Sequence, residues 1–221
     1  MALDASFKTL ALLAICSTQK SSVEGFLLKN CKIDASILQF VEILKTLGLE
    51  IKIDGTEISL KSQGILTFFE PEKELDIQGN EAILYALVGL FSNLDYNIFF
   101  VSSEALNLNF SSLILGLYDS GIRFNYSKNF SLPIQMKGTS NFLPMVHTLM
   151  TENHFLALTF LLAGMSGIGR TQIILPQKNV FFEKVLKDVK ANFRIAENAI
   201  SVALNDVEKE EKIELDLKNY D

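Results

Sequence analysis

VEILKTLGLEIKID (41–54), LILGLYDSGIRFNYS (113–127) and FEKVLKDVKANFRIAEN (182–198) share one pattern: a helix-spaced apolar run, a stop, and a segment that alternates apolar and polar residues. In the first, Ile37, Leu38, Phe40, Val41 and Leu44 precede Gly48; in the second, Leu113, Ile114 and Leu117 precede Gly121; in the third, Phe182, Val185, Leu186 and Val189 precede Asn192. Glycine and asparagine tolerate the left-handed backbone that ends a helix, so Gly48, Gly121 and Asn192 are the expected stops. They lie 73 and 71 residues apart, a repeat of roughly 72 residues.

Each repeat also carries an earlier helix pattern followed by a β-rich run: Leu10–Ile15 then SVEGFLL, Ala82–Phe91 then YNIFFVS, Phe155–Leu162 then RTQIILP. The unit reads β-α-β-α-β-β. Its helices are apolar over broad faces, as buried helices under a sheet must be. No Pro/Gly/Ser-rich linker divides the chain, and the polar block Asp206–Lys212 reads as a solvated turn before a last strand. The expected fold is therefore α/β (α+β): one domain over 1–221 with pseudo-threefold symmetry, helices inside and sheets outside. Its units run roughly 1–75, 76–139 and 140–221.

The 221 residues are 48% apolar and 21% charged, which excludes a disordered chain. A net charge of −6, with only Arg123, Arg170 and Arg194 as arginines, argues against nucleic acid or an anionic membrane as partner. The longest apolar stretch, Phe155–Met165, is about half of a membrane span. The run Leu10–Cys16 is a poor secretory leader, because Asp4 cancels Lys8 and Ile15 is too large for a cleavage position, so a cytoplasmic location is expected.

Cys16 and Cys31 have no C-x-x-C spacing. His147 and His154 would share a helix face only if one helix covered both, which Pro144 and Thr151 oppose. Neither a metal nor a cofactor is expected. Gly164–Thr171 has the spacing of a phosphate-binding loop with Arg170 in the lysine place, but a helix precedes it and a strand follows, the reverse of what a P-loop needs; it reads as a helix stop and turn. No nucleophile elbow appears, and Glu70, Glu72 and Glu74 read as a solvated loop, so spacing yields no catalytic group.

Three such units in order resemble the enolpyruvyl transferases, and among them the 5-enolpyruvylshikimate-3-phosphate (EPSP) synthases, or 3-phosphoshikimate 1-carboxyvinyltransferases. Five strings carry the resemblance. The family's Asp-Lys-Ser-x-Ser-His-Arg-Ala looks like Asp4–Ala11, and its Gly-Asn-Ala-Gly-Thr-Thr-Met-Arg like Gly79–Ala86. Its Gly-Asp-x-Ser-Leu region looks like Ser102–Ser111, its Pro-Leu-x-Ile-x-Gly strand like Leu132–Gly138, and its third-unit helix like Asn153–Gly164.

The resemblance implies a transferase of the shikimate pathway of aromatic amino acid biosynthesis, acting on shikimate-3-phosphate and phosphoenolpyruvate in a cleft between two such domains. The departures are specific. Positions where the family places a lysine and arginines on these anions read Ala5, Leu10, Ala86, Asn107 and Asn109. Each lost charged hydrogen bond is worth roughly 1.5–3 kcal/mol, so neither substrate is expected to bind tightly. Ser6, Lys8, Asn80, Asn107 and Asn109 are the candidate substrate-binding residues; the two asparagines suit a less anionic ligand. The expected function is that of a degenerate EPSP synthase-like domain, a pseudoenzyme acting by binding or assembly. The alternative is one half of a split synthase, active only with a second polypeptide. With Ala5, Leu10 and Ala86 on the former cleft face, a homodimer or partner domain across that face is expected.

Overall fold

The computed structural model describes residues 3–104, 108–205 and 207–220. Helix α1 (Ala5–Thr18), strand β1 (Phe26–Lys29), α2 (Ala35–Thr46), β2 (Glu50–Asp54) and β3 (Glu57–Lys61) form the first unit. The second comprises β4 (Leu75–Asp76), α3 (Glu81–Phe91), β5 (Asn97–Val101), α4 (Ser111–Tyr118), β6 (Arg123–Ser127) and β7 (Ser131–Lys137). The third comprises β8 (Val146–Thr148), α5 (His154–Ser166), β9 (Thr171–Ile174), α6 (Val180–Asp188), β10 (Asn192–Ala196) and β11 (Ala199–Ala203). The strand β12 (Ile213–Asp216) and a 3-10 turn (Leu217–Tyr220) follow.

The described strands make three four-stranded sheets, β12-β1-β3-β2, β4-β5-β7-β6 and β8-β9-β11-β10. In each, the first pair is parallel and the others antiparallel. β12 thus does for the first unit what β4 and β8 do for theirs. This corrects the third unit's expected extent of 140–221: the last strand leaves it and pairs with β1, Phe26 beside Ile213. Among the described residues no strand precedes α1 in the first unit, and that place in its sheet is taken by β12.

The first helix of each unit is the inner one. Every residue is buried from Phe7 to Thr18 in α1, from Ala82 to Phe91 in α3 and from Leu156 to Ser166 in α5. A helix apolar all round belongs in a core, and these three pack on one another. Gly89 sets the closeness of α3 to α5, since a Cβ there would lie 2.8 Å from both the Thr159 carbonyl oxygen and the Leu162 Cβ. The Thr159 hydroxyl donates across the same seam to the Tyr85 carbonyl at 2.8 Å. The sheets lie outside, one side to the core: in β3, Ile58 and Leu60 are buried while Glu57, Ser59 and Lys61 are exposed.

Gly48 and Gly121 end α2 and α4 with φ of +98° and +100°. The third stop is not Asn192, which already begins β10, but Lys190, with φ of +53°. Lys190 stands two residues ahead of its strand, as the glycines do. Its carbonyl accepts from Asn205 Nδ2 at 2.8 Å and Lys209 Nζ at 2.9 Å, so tertiary contacts hold a turn that the side chain itself disfavours.

Gly167 caps α5 and Gly169 turns into β9 with φ of +97°, so the glycine-rich stretch is a helix stop. His147 lies in β8 and His154 opens α5, and among the described residues no cluster could hold a metal ion. Cys16 and Cys31 are free and buried; burial raises both thiols, Cys31 to about 12. No helix among the described residues is long and apolar enough to cross a membrane.

Candidate functional site

The inner helices bring their first turns together. Phe7 of α1 meets Phe155 of α5 with ring centroids 5.3 Å apart, and Tyr85 of α3 meets Phe155 at 5.9 Å. The chain of rings continues from Tyr85 to Phe110 at 6.1 Å, from Phe7 to Phe181 at 6.5 Å, and from Phe181 to Tyr220 at 5.9 Å. Phe7, Tyr85, Phe110, Phe181 and Tyr220 are all buried. An aromatic plug closes the space between the helix N-termini. Burial raises the Tyr85 phenol to about 12, and Glu81 adds to the shift.

The capping residues of these helices are satisfied within the chain. Asp4 accepts from the Ser6 and Phe7 amides at 2.9 and 3.2 Å. The Ser6 hydroxyl donates to Asp34, itself the cap of α2, tying the two helices of the first unit together. Asn80 accepts from the Ala82 and Ile83 amides at 2.9 and 3.4 Å, Asn153 from Leu156 at 2.9 Å, and Asn109 from Ser111 at 2.8 Å. Two of the five candidate residues, Ser6 and Asn80, therefore hold helix starts in place, and Asn109 closes a local turn just ahead of α4. Asn107 lies outside the described residues. Leu10 and Ala86, expected on an exposed cleft face, are 2% and 0% exposed, because α1 and α3 are buried all round; of the three apolar replacements only Ala5 is exposed.

Lys8 is the candidate that reaches a cavity. Buried at 7% exposure, it lines a hollow of about 590 Å³ with Glu152, His154, Asn179, Phe181 and Tyr220, between the first turns of α1, α5 and α6 and the C-terminal turn. The cationic groups there are occupied. Lys8 and Glu152 are both engaged, Lys178 pairs with Glu183 at 3.2 Å, and Lys184 donates to the Asn219 carbonyl and lies 5.4 Å over the Tyr220 ring. Burial depresses the His154 imidazole, with Glu152 opposing. The hollow combines an apolar floor with lysines engaged by the chain's own groups and with His154, whose buried Nε2 has no hydrogen-bond partner.

Sequence reading missed the plug. Its signal was an aromatic residue within the first five positions of all three inner helices: Phe7, Tyr85 and Phe155. Asn80→Ala is expected to cost about 1 kcal/mol through the lost cap, a fall of about 2–4 °C in melting temperature by calorimetry.

The arrangement of three such units around buried helices is the enolpyruvyl-transferase fold. The chain superposes on EPSP synthase from Acinetobacter baumannii with a TM-score of 0.81 at 14% identity, over 96% of this chain and 47% of that one. On the enolpyruvyl transferase NikO from Streptomyces tendae the TM-score is 0.69 at 16% identity, covering 96% and 49%. Among curated proteins it is similar to 3-phosphoshikimate 1-carboxyvinyltransferases. The one from Lactococcus lactis subsp. cremoris (strain SK11) is 23% identical over 144 residues, 64% of this chain and 34% of that protein. The one from Streptococcus pyogenes serotype M49 (strain NZ131) is 19% identical over 140 residues, 62% and 33% respectively. No family model matches the chain. It thus spans about half the length of the solved structures and a third of the length of the curated relatives is matched.

Proposed function

We propose that this chain is an EPSP synthase-like domain that has lost enolpyruvyl transfer and acts by binding or assembly. The observation that carries this is the fate of the positions matched to the family's cations. Leu10 and Ala86 are core residues, Asn109 is engaged with the Ser111 amide, and Ala5 offers no charge. Each missing charged hydrogen bond removes roughly 1.5–3 kcal/mol from the hold on a phosphate or carboxylate. The lysines of the nearby hollow do not replace them, because the chain's own groups occupy them.

A second reading is favoured by the half-length match to the solved synthases: one part of a shikimate-pathway enzyme completed by another polypeptide. A partner covering the helix N-terminal face suits both readings, though it cannot dock on Leu10 or Ala86. Val180, at the start of α6 on the rim of the hollow, is an exposed apolar side chain there.

Incubated with phosphoenolpyruvate and shikimate-3-phosphate, the isolated chain is expected to release phosphate at the background rate. Calorimetric titration with shikimate-3-phosphate is expected to give no saturable heat at millimolar ligand, less than about 4 kcal/mol of binding. Phosphate release well above background would overturn the first reading. Release that appears only when a polypeptide carrying the other half of a synthase is added would establish the second.

A further inference from the structure

We propose that His147 is an acid-sensitive latch that holds β8, and with it one wall of the hollow, against the domain. The inference is independent of whether the domain catalyses anything. β8 is three residues long, stands at the end of its sheet and is registered to β9 alone, with Val146, His147 and Thr148 beside Gln172, Ile173 and Ile174. Val146 and Thr148 face solvent, so within β8 His147, at 7% exposure, is the side chain that reaches the core, and Leu149, just past the strand, is buried beside it in sequence.

The grip is a stack. The imidazole lies on the Phe160 ring with centroids 3.7 Å apart and planes at 7°. Phe160 is pressed against α4 on another side, where a Cβ on Gly116 would stand 2.6 Å from its Cζ. The Nε2 atom of His147 is buried and has no hydrogen-bond partner. A neutral imidazole can leave that nitrogen bare at modest cost. An imidazolium carries N–H on both nitrogens, and the Nε2 proton would point into protein with nothing to accept it. The face of Phe160 attracts a cation but supplies no acceptor. No charged group from β8, β9, α4 or α5 contributes to the His147 titration; burial alone pulls it down to about 4.

The strand leads directly to the hollow. Leu149 makes the last link to the sheet through its amide and the Ile174 carbonyl at 2.9 Å, and the chain then reaches Glu152, the cap Asn153 and His154, all of which line the cavity. Letting β8 go frees that wall without breaking the packing of α1, α3 and α5.

The sign follows from the two protonation constants. In the closed state His147 titrates near 4, and released it returns to the ordinary value of 6.5. Opening therefore takes up a proton between those limits. The latch is firm above pH 6.5, weakens as pH falls, and gains nothing more below about pH 4. Between pH 8 and pH 5 the opening constant rises roughly 30-fold.

Amide hydrogen exchange, read as protection factors, tests this in the full chain. Protection at the His147 and Leu149 amides, those that face β9, is expected to fall roughly 30-fold from pH 8 to pH 5, while β2 and β3 keep theirs. His147→Phe, which retains a ring on Phe160 but cannot be protonated, is expected to abolish the fall, whereas His154→Gln preserves it. An equal fall in His147→Phe, a fall spread over all three sheets, or no fall would overturn the proposal. Should His147→Phe not fold, imidazole NMR of the natural chain decides: titration of His147 near 6.5 with β8 still protected overturns the latch, and a ring neutral down to pH 5 in the closed state supports it.

Discussion

Leu10→Arg, which returns a cation to a position where EPSP synthases are expected to carry one, should destabilise the domain by about 4 kcal/mol or more and restore no turnover. Leu10 is 2% exposed in a helix buried on every side. Its replacement forfeits the transfer energy of a packed leucine and takes a guanidinium out of water into a helix core. In a chain of this size that corresponds to a fall on the order of 10 °C in melting temperature. Ala5→Lys, at an exposed first-turn position, should change stability by no more than about 0.5 kcal/mol. Thermal unfolding of the two variants beside phosphate release makes the comparison. An arginine variant as stable as the natural chain, with phosphate release above background, would mean that the position still opens onto a binding cleft.

Gly89→Leu is the other large effect. The seam between α3 and α5 is closed to the point that even one added carbon would lie 2.8 Å from the Thr159 carbonyl and the Leu162 Cβ. Four added carbons cannot be taken up by side-chain rotation, because one of the obstacles is backbone. The helices must separate, breaking the Thr159 to Tyr85 hydrogen bond and the ring contact of Tyr85 with Phe155. About 4 kcal/mol is expected, against a total of about 5–15 kcal/mol for a domain, so the variant should unfold at markedly lower denaturant. Gly55→Leu is the control: a Cβ at Gly55 meets nothing within 4 Å, and its cost is confined to the backbone strain of φ near +57°. Equal midpoints for the two variants would remove the seam as the origin of the effect.

The repeat was legible because its signals are local. Helix spacing, a glycine stop and strand alternation each occupy a dozen residues, and two of the three stops, Gly48 and Gly121, do what their residue type dictates. Lys190 was not legible, since its left-handed turn is held by Asn205 and Lys209, donors that the sequence places 15 and 19 residues away. The same holds for β12, whose strand pattern can be read but whose partner cannot. At the candidate site, residue type identified Asn80 and Asn109 as hydrogen-bonding groups without telling that a helix amide already claims each. Spacing along α1 placed Leu10 on the same helix as Lys8, yet burial on all sides is a property of the assembled units. The aromatic plug escaped for a different reason: Phe7, Tyr85 and Phe155 each look like ordinary core residues, and only their meeting at the helix starts gives them a common role.

The pairing of β1 with β12 also orders events on the ribosome. Phe26 and its neighbour Ile213 are separated by 187 residues, so the sheet made first is completed last. Until the distal strand emerges, the outer margin of Phe26–Lys29 offers unsatisfied amides and carbonyls to any passing strand, the hazard carried by every uncovered sheet margin. The second and third units can each assemble from contiguous sequence as they leave the exit tunnel, whereas the first must wait for β12 to emerge. A truncation shortly before Ile213 would therefore leave the earliest-made sheet permanently open, and such truncated chains should accumulate in aggregates rather than as a shortened domain.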